Sequence, residues 1–303
     1  MSDDEPRGIL AVANAKAGTA KAAVLDAVMR ELARHADAEL RLTETLEDLR
    51  DTLLDPGGRR LVLMGGDGTV HTALQLLHDA GAADAVGPLG LIPLGTGNDL
   101  ARSLRLPLEP VTAAVVAATG TPRGLELLVD DLDRVTVNTV HAGIGASATA
   151  RAQRWKSSLG AAAYPVGAAW AGVSAGRGYP LRVEVDGEVL VDGDRPVLMV
   201  GVGIGGTIGG GAPLVPGADP HDGVADVVVS TSTSPWARVG FARGLRQGVH
   251  VERQDVTTAR GHVVEVSARS GHFRLNSDGE VGDPRTSVRW EMRADAWRAV
   301  CPR

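Results

Sequence analysis

The sequence predicts an α/β protein in two parts, an N-terminal α/β unit with a mostly parallel sheet and a C-terminal, mostly antiparallel β unit. Three observations carry this. Short apolar runs alternate with amphipathic helical stretches as far as residue 118, the pattern of strands joined by crossover helices. From Gly124 onward strand patterns dominate. Three of the early apolar runs end in small, polar, glycine-bearing loops, at residues 14–19, 65–69 and 95–99.

Residues 8–13 form a short apolar strand. Residues 19–35 carry Leu25, Val28, Met29 and Leu32 at helical spacing. Ala38, Leu40 and Leu42 alternate with charged residues, as in a half-buried strand. Leu46, Leu49 and Leu53 mark a second helix, closed by Pro56-Gly57-Gly58. Strands at 60–64 and 88–94 and helices at 69–80 and 109–118 complete the first part. In the second part, strands are predicted at 134–140, 195–204, 224–230, 262–269, 273–276 and 288–294. In the last, Val288, Trp290, Met292 and Ala294 share one face. Residues 181–185 and 189–191 flank Asp186-Gly187, a hairpin signal. Helical sequence interrupts at 145–175 and 236–248, and the glycine-rich stretch 201–211 reads as a flexible loop near an acceptor site. The boundaries expected are 1–124 and 125–294, with the tail 295–303 a candidate to return to the first domain. No long linker separates them, so a cleft between the two is the default binding site.

Composition removes several classes of function. The chain has 303 residues, 44% hydrophobic and 22% charged, so it has the material for a core. A formal charge of -6 argues against bulk binding of nucleic acid. The single Cys301 excludes an internal disulfide framework and a cysteine zinc site. A membrane span needs ~20 mostly apolar residues; the nearest candidate, 159–175, is broken by Gly160, Pro165, Gly167 and Gly172. The N-terminal MSDDEPRG is acidic and lacks a signal-peptide charge pattern. The expectation is a cytoplasmic protein.

The loops carry the chemistry. Gly65-Gly66-Asp67-Gly68-Thr69 follows a strand and opens a helix, so its backbone amides and the helix dipole favour phosphate. The Walker A pattern is absent. Pro93-Leu94-Gly95-Thr96-Gly97-Asn98-Asp99 and Asn14-Ala15-Lys16-Ala17-Gly18-Thr19 also follow strands. Three such loops at the carboxyl ends of parallel strands suit one shared ligand.

GGDGT, then PLGTGNDLAR, then the late Asp278-Gly279-Glu280, resemble the diacylglycerol kinase catalytic-domain family of lipid kinases, which includes the sphingosine kinases. The resemblance covers nearly the whole chain. Residues 14–18 resemble the family's Asn-Pro-x-Ser-Gly loop, with Ala15 and Ala17 as departures. Asn138 and 143–146 resemble its N…GxG segment. Residues 216–223 resemble its Pro-x-Ala-x-x-Asp-Asp-Gly turn, with His221 in place of the first Asp.

The resemblance implies a β-sandwich for the second domain and phosphoryl transfer from ATP, with Mg²⁺, to a hydroxyl of diacylglycerol or a related lipid. It places Asn14, Lys16, Gly18, Thr43, Gly66, Asp67, Gly68, Thr69, Thr72 and Thr96 at the nucleotide. Thr43 is equally well a cap of the helix that follows. Asp67 and Asp99 are the carboxylates nearest a catalytic Mg²⁺, with Arg102 pairing Asp99 or a phosphate. Glu126 stands where the family usually has Asp, with Asp130, Asp131 and Asp133 as alternatives. Asp222, with the carbonyls of Asp219 and Val224, is a candidate structural Mg²⁺ site. Asp278 and Glu280 are the candidate bases for the acceptor hydroxyl, with a lean to Glu280. Arg151, Arg154, Trp155 and Lys156 suggest peripheral contact with an anionic membrane. The other readings are a kinase of NAD or of a soluble alcohol, and a non-catalytic nucleotide or lipid sensor. Oligomeric state is not legible.

Overall fold

The computed structural model describes residues 7–143 and 178–303. The chain divides into two compact units, Met1–Leu127 with Ala294–Arg303, and Leu128–Arg293. The expected helical stretch at 145–175, residues 144–146 of the Gly-rich segment and the Arg151, Arg154, Trp155, Lys156 patch lie outside the described residues.

In the first unit strands and helices alternate: β1 (Ile9–Asn14), α1 (Ala15–Leu32), β2 (Ala38–Thr43), α2 (Leu46–Leu54), β3 (Arg60–Gly65), α3 (Asp67–Asp79), β4 (Gly90–Pro93), α4 (Asp99–Ser103) and α5 (Pro110–Thr119). The strands pair in parallel in the order β2-β1-β3-β4. Ile9, Ala11, Ala13, Val62, Met64 and Ile92 pack in one core with Leu25, Val28 and Leu32 of α1 and the alanines of α5. Their strand neighbours Leu10, Val12, Leu61, Leu63 and Leu91 point the other way and are buried too. A sheet covered on both faces must be apolar at successive positions, which is why β1, β3 and β4 read as unbroken apolar runs.

The helix starts are written locally. Thr45 accepts the N–H of Asp48 at 3.0 Å while Asp48 accepts that of Glu44 at 3.0 Å, a reciprocal cap on α2. Glu109 accepts the N–H groups of Val111 and Thr112 ahead of Pro110-led α5. The cap of α2 is therefore Thr45 and not Thr43, which is buried and donates its hydroxyl to the Ala13 carbonyl at 3.4 Å.

The second unit is antiparallel. β5 (Thr121–Asp130) leads into it. There follow β6 (Val135–Thr136), β7 (Thr139–Gly143), β8 (Leu181–Val185), β9 (Glu188–Asp192), β10 (Met199–Gly203), β11 (Thr207–Ile208), β12 (Ala212–Pro213), β13 (Ala225–Ser230), α6 (Pro235–Gln247), β14 (Val256–Gly261), β15 (Val263–Ala268), β16 (Leu275–Ser277), β17 (Glu280–Val281) and β18 (Ser287–Cys301). One sheet has the order β14-β13-β10-β7-β16-β17 and another β6-β5-β18-β15-β8-β9. The two form a sandwich. Val140, Val200, Val227 and Val229 of the first share one core with Leu181, Val183, Val264, Val266 and Trp290 of the second.

Several expectations are revised. The strand at 134–140 is two short strands parted at Asn138. The stretch 201–211 is not one loop: Gly201 and Gly203 lie in buried β10, and Gly209, Gly210 and Gly211, all at positive φ, turn the small β11–β12 hairpin. β14 was not anticipated. The final strand runs on to Cys301, and its last part belongs to the first unit. There Leu89 donates to Arg298 and accepts from Val300, both at 2.9 Å. Buried Trp297 donates its indole N–H to Glu126 O at 3.2 Å. The buried residues of β18 are even-numbered at Val288 and Trp290 and odd-numbered at Trp297, Ala299 and Cys301. Asp295, at φ 49°, sits where the alternation changes phase.

Candidate functional site

In the first unit the expected nucleotide residues gather along the carboxyl edge of the parallel sheet. Asn14 ends β1 beside Thr43 at the end of β2, and Gly65 ends β3 in register with Pro93 at the end of β4. The direction in which successive strands are added reverses at β1, because β2 lies to one side of β1 and β3 to the other. That is the switch point where ligands of α/β sheets sit. Lys16 and Gly18 fall in the opening turns of α1, and Asp67, Gly68, Thr69 and Thr72 in the first turns of α3.

The two glycine loops after β3 and β4 lie against one another. A methyl added at Gly95 would stand 2.6 Å from the Cα of Gly66, and one added at Gly66 would stand 3.0 Å from the Cα of Gly95. A side chain at Gly65 would run into Thr69. Only glycine allows this approach of two backbones. Gly66 is also the N-cap of α3 and supplies no side-chain acceptor to its first turn, which suits an exogenous anion there. A cleft of about 250 Å³, counting the part open to solvent, is bounded by Gly65, Gly66, Asp67, Pro93, Asn98 and Leu100.

Asp67 is tied to the first turn of the short α4, which Asp99 begins. The Oδ1 of Asp67 accepts the N–H of Leu100 at 3.0 Å, and Asp99, the first residue of α4, is only 8% exposed. Thr96 is exposed at the loop tip. Arg102 donates from Nε to the Gly97 carbonyl at 3.2 Å, bracing the loop from behind. Glu126 lies on β5, 3% exposed. Among the described residues no three His, Cys, Asp or Glu side chains gather as a metal cage, so Asp67, Asp99 and Glu126 do not form one cluster.

Asn98 was not singled out from the sequence and holds the loop's shape. Its Oδ1 accepts the Gly95 N–H at 2.9 Å and its Nδ2 donates to the Gly95 carbonyl at 3.0 Å. Its backbone is left-handed, at φ 51°, a conformation that asparagine tolerates better than most side chains. The signal was present, since Asn two residues after a Gly-Thr pair reads as a turn residue.

The second unit carries an acidic hairpin. Asp278 and Gly279, at φ 48° and 94°, form the two-residue turn between β16 and β17, with Ser277 opposite Glu280. The two carboxylates do different things. That of Asp278 accepts backbone N–H groups from Val137 at 2.8 Å, Asn138 at 2.9 Å and Thr139 at 3.0 Å. Asp278 thereby pins the break between β6 and β7 to the turn. Glu280 is exposed. Asn138 in turn donates to Thr207 O at 2.8 Å and accepts from the N–H groups of Ile204 and Gly205. Of the two candidate bases, Asp278 is the one whose carboxylate is turned to the backbone.

The candidate structural cation residues sit in another turn. Asp219 accepts the His221 N–H at 3.2 Å, and Asp222 accepts that of Val224 at 3.3 Å. The Asp222 carboxylate is also ion-paired with Arg260, which reaches Asp226 as well. With its charge already met by a guanidinium, Asp222 has less to offer a cation, and the residues do not fit a structural Mg²⁺ as placed.

Buried His141 on β7 is held neutral, its pKa lowered to about 4 by burial. It pairs in register with Asn276 of β16.

A parallel-sheet unit edged by glycine loops, joined to an antiparallel sandwich with an acidic hairpin, is a fold shared with solved proteins. The structure is similar to that of a putative diacylglycerol kinase from Bacillus anthracis, with a TM-score of 0.77 at 19% identity over 98% of each chain. The diacylglycerol kinase catalytic domain matches residues 8–129, and the YegS C-terminal NAD kinase beta sandwich-like domain matches residues 138–299. A probable YegS-like lipid kinase of Stenotrophomonas maltophilia is 31% identical, covering 75% of this chain and 74% of its own. A diacylglycerol kinase of Mycobacterium tuberculosis is 31% identical, covering 75% and 72%. A probable YegS-like lipid kinase of Pseudomonas aeruginosa is 30% identical across 99% of this chain and 95% of its own. The chain belongs to the diacylglycerol kinase-like, YegS-like family of lipid kinases.

Proposed function

We propose that this protein transfers the γ-phosphoryl group of ATP to a hydroxyl of diacylglycerol or a related lipid. The observation that carries the reading is the closure of two glycine loops on each other at the sheet's switch point, with Asp67 tied to the second loop's helix. Phosphoryl transfer asks the protein mainly for position and charge stabilisation. Backbone amides at the start of α3 would cradle the phosphates, with Gly66, Gly68, Thr69, Thr72 and Thr96 around them. Asn14, Lys16, Gly18 and Thr43 would take the rest of the nucleotide along the same sheet edge.

Mg²⁺ ordinarily binds one or two carboxylates together with phosphate oxygens, not an all-protein cage. Asp67 and Asp99 fit that donor set, one tied by Oδ1 to the Leu100 amide and the other buried at the start of the same helix. When bound there the ion would neutralise phosphate charge. Glu126 would act from β5 on the same unit's network.

Glu280 is the proposed base. It is exposed on a turn whose orientation Asp278 fixes through three amides. A carboxylate so placed accepts the proton of an attacking hydroxyl without being spent on the fold. Asp278 is a positioning residue in this reading.

The test is incubation of the full-length chain with γ-labelled ATP, Mg²⁺ and a panel of diacylglycerol, sphingoid base, phosphatidylglycerol and NAD in mixed micelles. Label in a lipid monophosphate is the expected result. Label in NAD alone, or in nothing, would remove the lipid kinase reading.

A further inference from the structure

Helix α6 carries two unlike faces. Phe241 and Leu245 pack inward with Leu198, Met199, Leu214 and Val228. Trp236, Val239, Arg243 and Arg246, spaced at i, i+3, i+7 and i+10, share the opposite face. Trp236 is 83% exposed and Val239 60%. Arg243 and Arg246 are exposed, and so is Val249 just beyond the helix end. The helix holds three arginines and no acidic residue, in a chain of net charge -6.

An exposed tryptophan beside an exposed valine is costly in water unless something covers it. A second copy of the chain suits the face poorly. Two-fold pairing sets a patch against itself, and here it would bury Arg243 and Arg246 of both copies with no carboxylate on the helix to pair them. An anionic bilayer suits it well. Indole rings settle at the membrane–water boundary, and guanidinium groups are drawn to anionic headgroups. A helix with this division lies flat on such a surface.

We propose that the outer face of α6 is the surface by which this protein docks on an anionic membrane. The proposal rests on the lipid-acceptor reading for its biological sense but has its own test. Trp236 and Val239 enter the headgroup boundary, and Arg243 and Arg246, further along the same face towards the helix C-terminus, meet lipid phosphates.

The experiment is co-sedimentation of the full chain with phosphatidylglycerol–phosphatidylcholine vesicles and with phosphatidylcholine alone, at low and high salt. Wild type is expected to bind the anionic vesicles and to weaken with salt. The pair Arg243→Gln/Arg246→Gln should lose about fivefold in partitioning per arginine, and Trp236→Ala/Val239→Ser about tenfold or more. Brominated lipid should quench part of the tryptophan fluorescence of wild type, and that part should be missing in Trp236→Phe. All four positions are exposed, so thermal unfolding should be unchanged. Equal vesicle binding by wild type and both double variants would overturn the proposal. So would a lipid-free dimer abolished by the same substitutions with vesicle binding intact. Transfer of label to a short-chain, water-soluble acceptor should be the same in every variant. If wild type labels no lipid at all, the catalytic reading falls while the vesicle result stands on its own.

Discussion

The carboxylate of Asp278 accepts the backbone N–H of Asn138 at 2.9 Å, across 140 residues of sequence. With the Val137 and Thr139 amides beside it, it makes a three-pronged clip, and Glu280 rides two residues further along the same hairpin. The two acids should therefore respond differently to neutral isosteres. Asp278→Asn puts an amide where acceptors are needed and should lower stability by about 1–3 kcal/mol, with activity falling alongside. Glu280→Gln should lose about 10²–10⁴-fold in turnover with an unchanged melting temperature and ATP affinity. Turnover near wild type in Glu280→Gln would mean that another group takes the proton.

The mutual approach of Gly66 and Gly95 leaves no room for a methyl. Gly95→Ala is expected to force the loops apart, costing about 1–3 kcal/mol. More tellingly, it should abolish the thermal protection that ATP gives the wild type. A variant that unfolds earlier yet keeps its full ATP-dependent shift would separate the loops from nucleotide binding.

Asp67→Asn keeps an oxygen for the Leu100 amide and removes the charge. The fold should change little, and turnover should drop by about 10²–10³-fold, the scale of losing one electrostatic stabiliser. Steady-state rates with labelled ATP, alongside a melting curve, check both halves. Undiminished turnover would exclude Asp67 from charge stabilisation.

His141 gives a pH signature. Its folded pKa, about 4, lies below the usual imidazole value because burial disfavours the cation. The stability linked to it is complete above pH 6.5, is lost as pH falls towards 4, and is absent below. Its full size is on the order of 3 kcal/mol. Urea midpoints of wild type and His141→Gln, measured between pH 7 and pH 4, should converge as the solution is acidified. Parallel curves would assign the acid sensitivity elsewhere.

What was legible in the sequence follows from range. The parallel strands announced themselves because both faces of their sheet are buried and their residues are apolar throughout. The loops did so because glycine, threonine and aspartate cluster there. The Asp186-Gly187 turn was readable because two adjacent residues take positive φ, at 50° and 84°. The five residues of α4 hold too little of a helical period to be seen. The Asp278 clip depends on partners far off in sequence, so it looked the same as a second catalytic acid. The final strand seemed to end at residue 294 because Asp295 shifts its alternation, and a pattern search stops where the phase breaks. Gly124 accommodates that shift: a side chain there would collide with the Asp295 carboxylate.

The return of the chain to its first unit bears on biosynthesis. Leu89 is wholly buried and exchanges hydrogen bonds with residues 298 and 300, so the first unit waits for a strand translated after the sandwich. A nascent chain leaving the ribosome holds an unfinished first unit while the whole sandwich is translated and folds. The unit that carries the glycine loops is therefore complete only once residues 297–301 have been made, and a ribosome that stalls short of Trp297 releases a chain whose first unit lacks this strand.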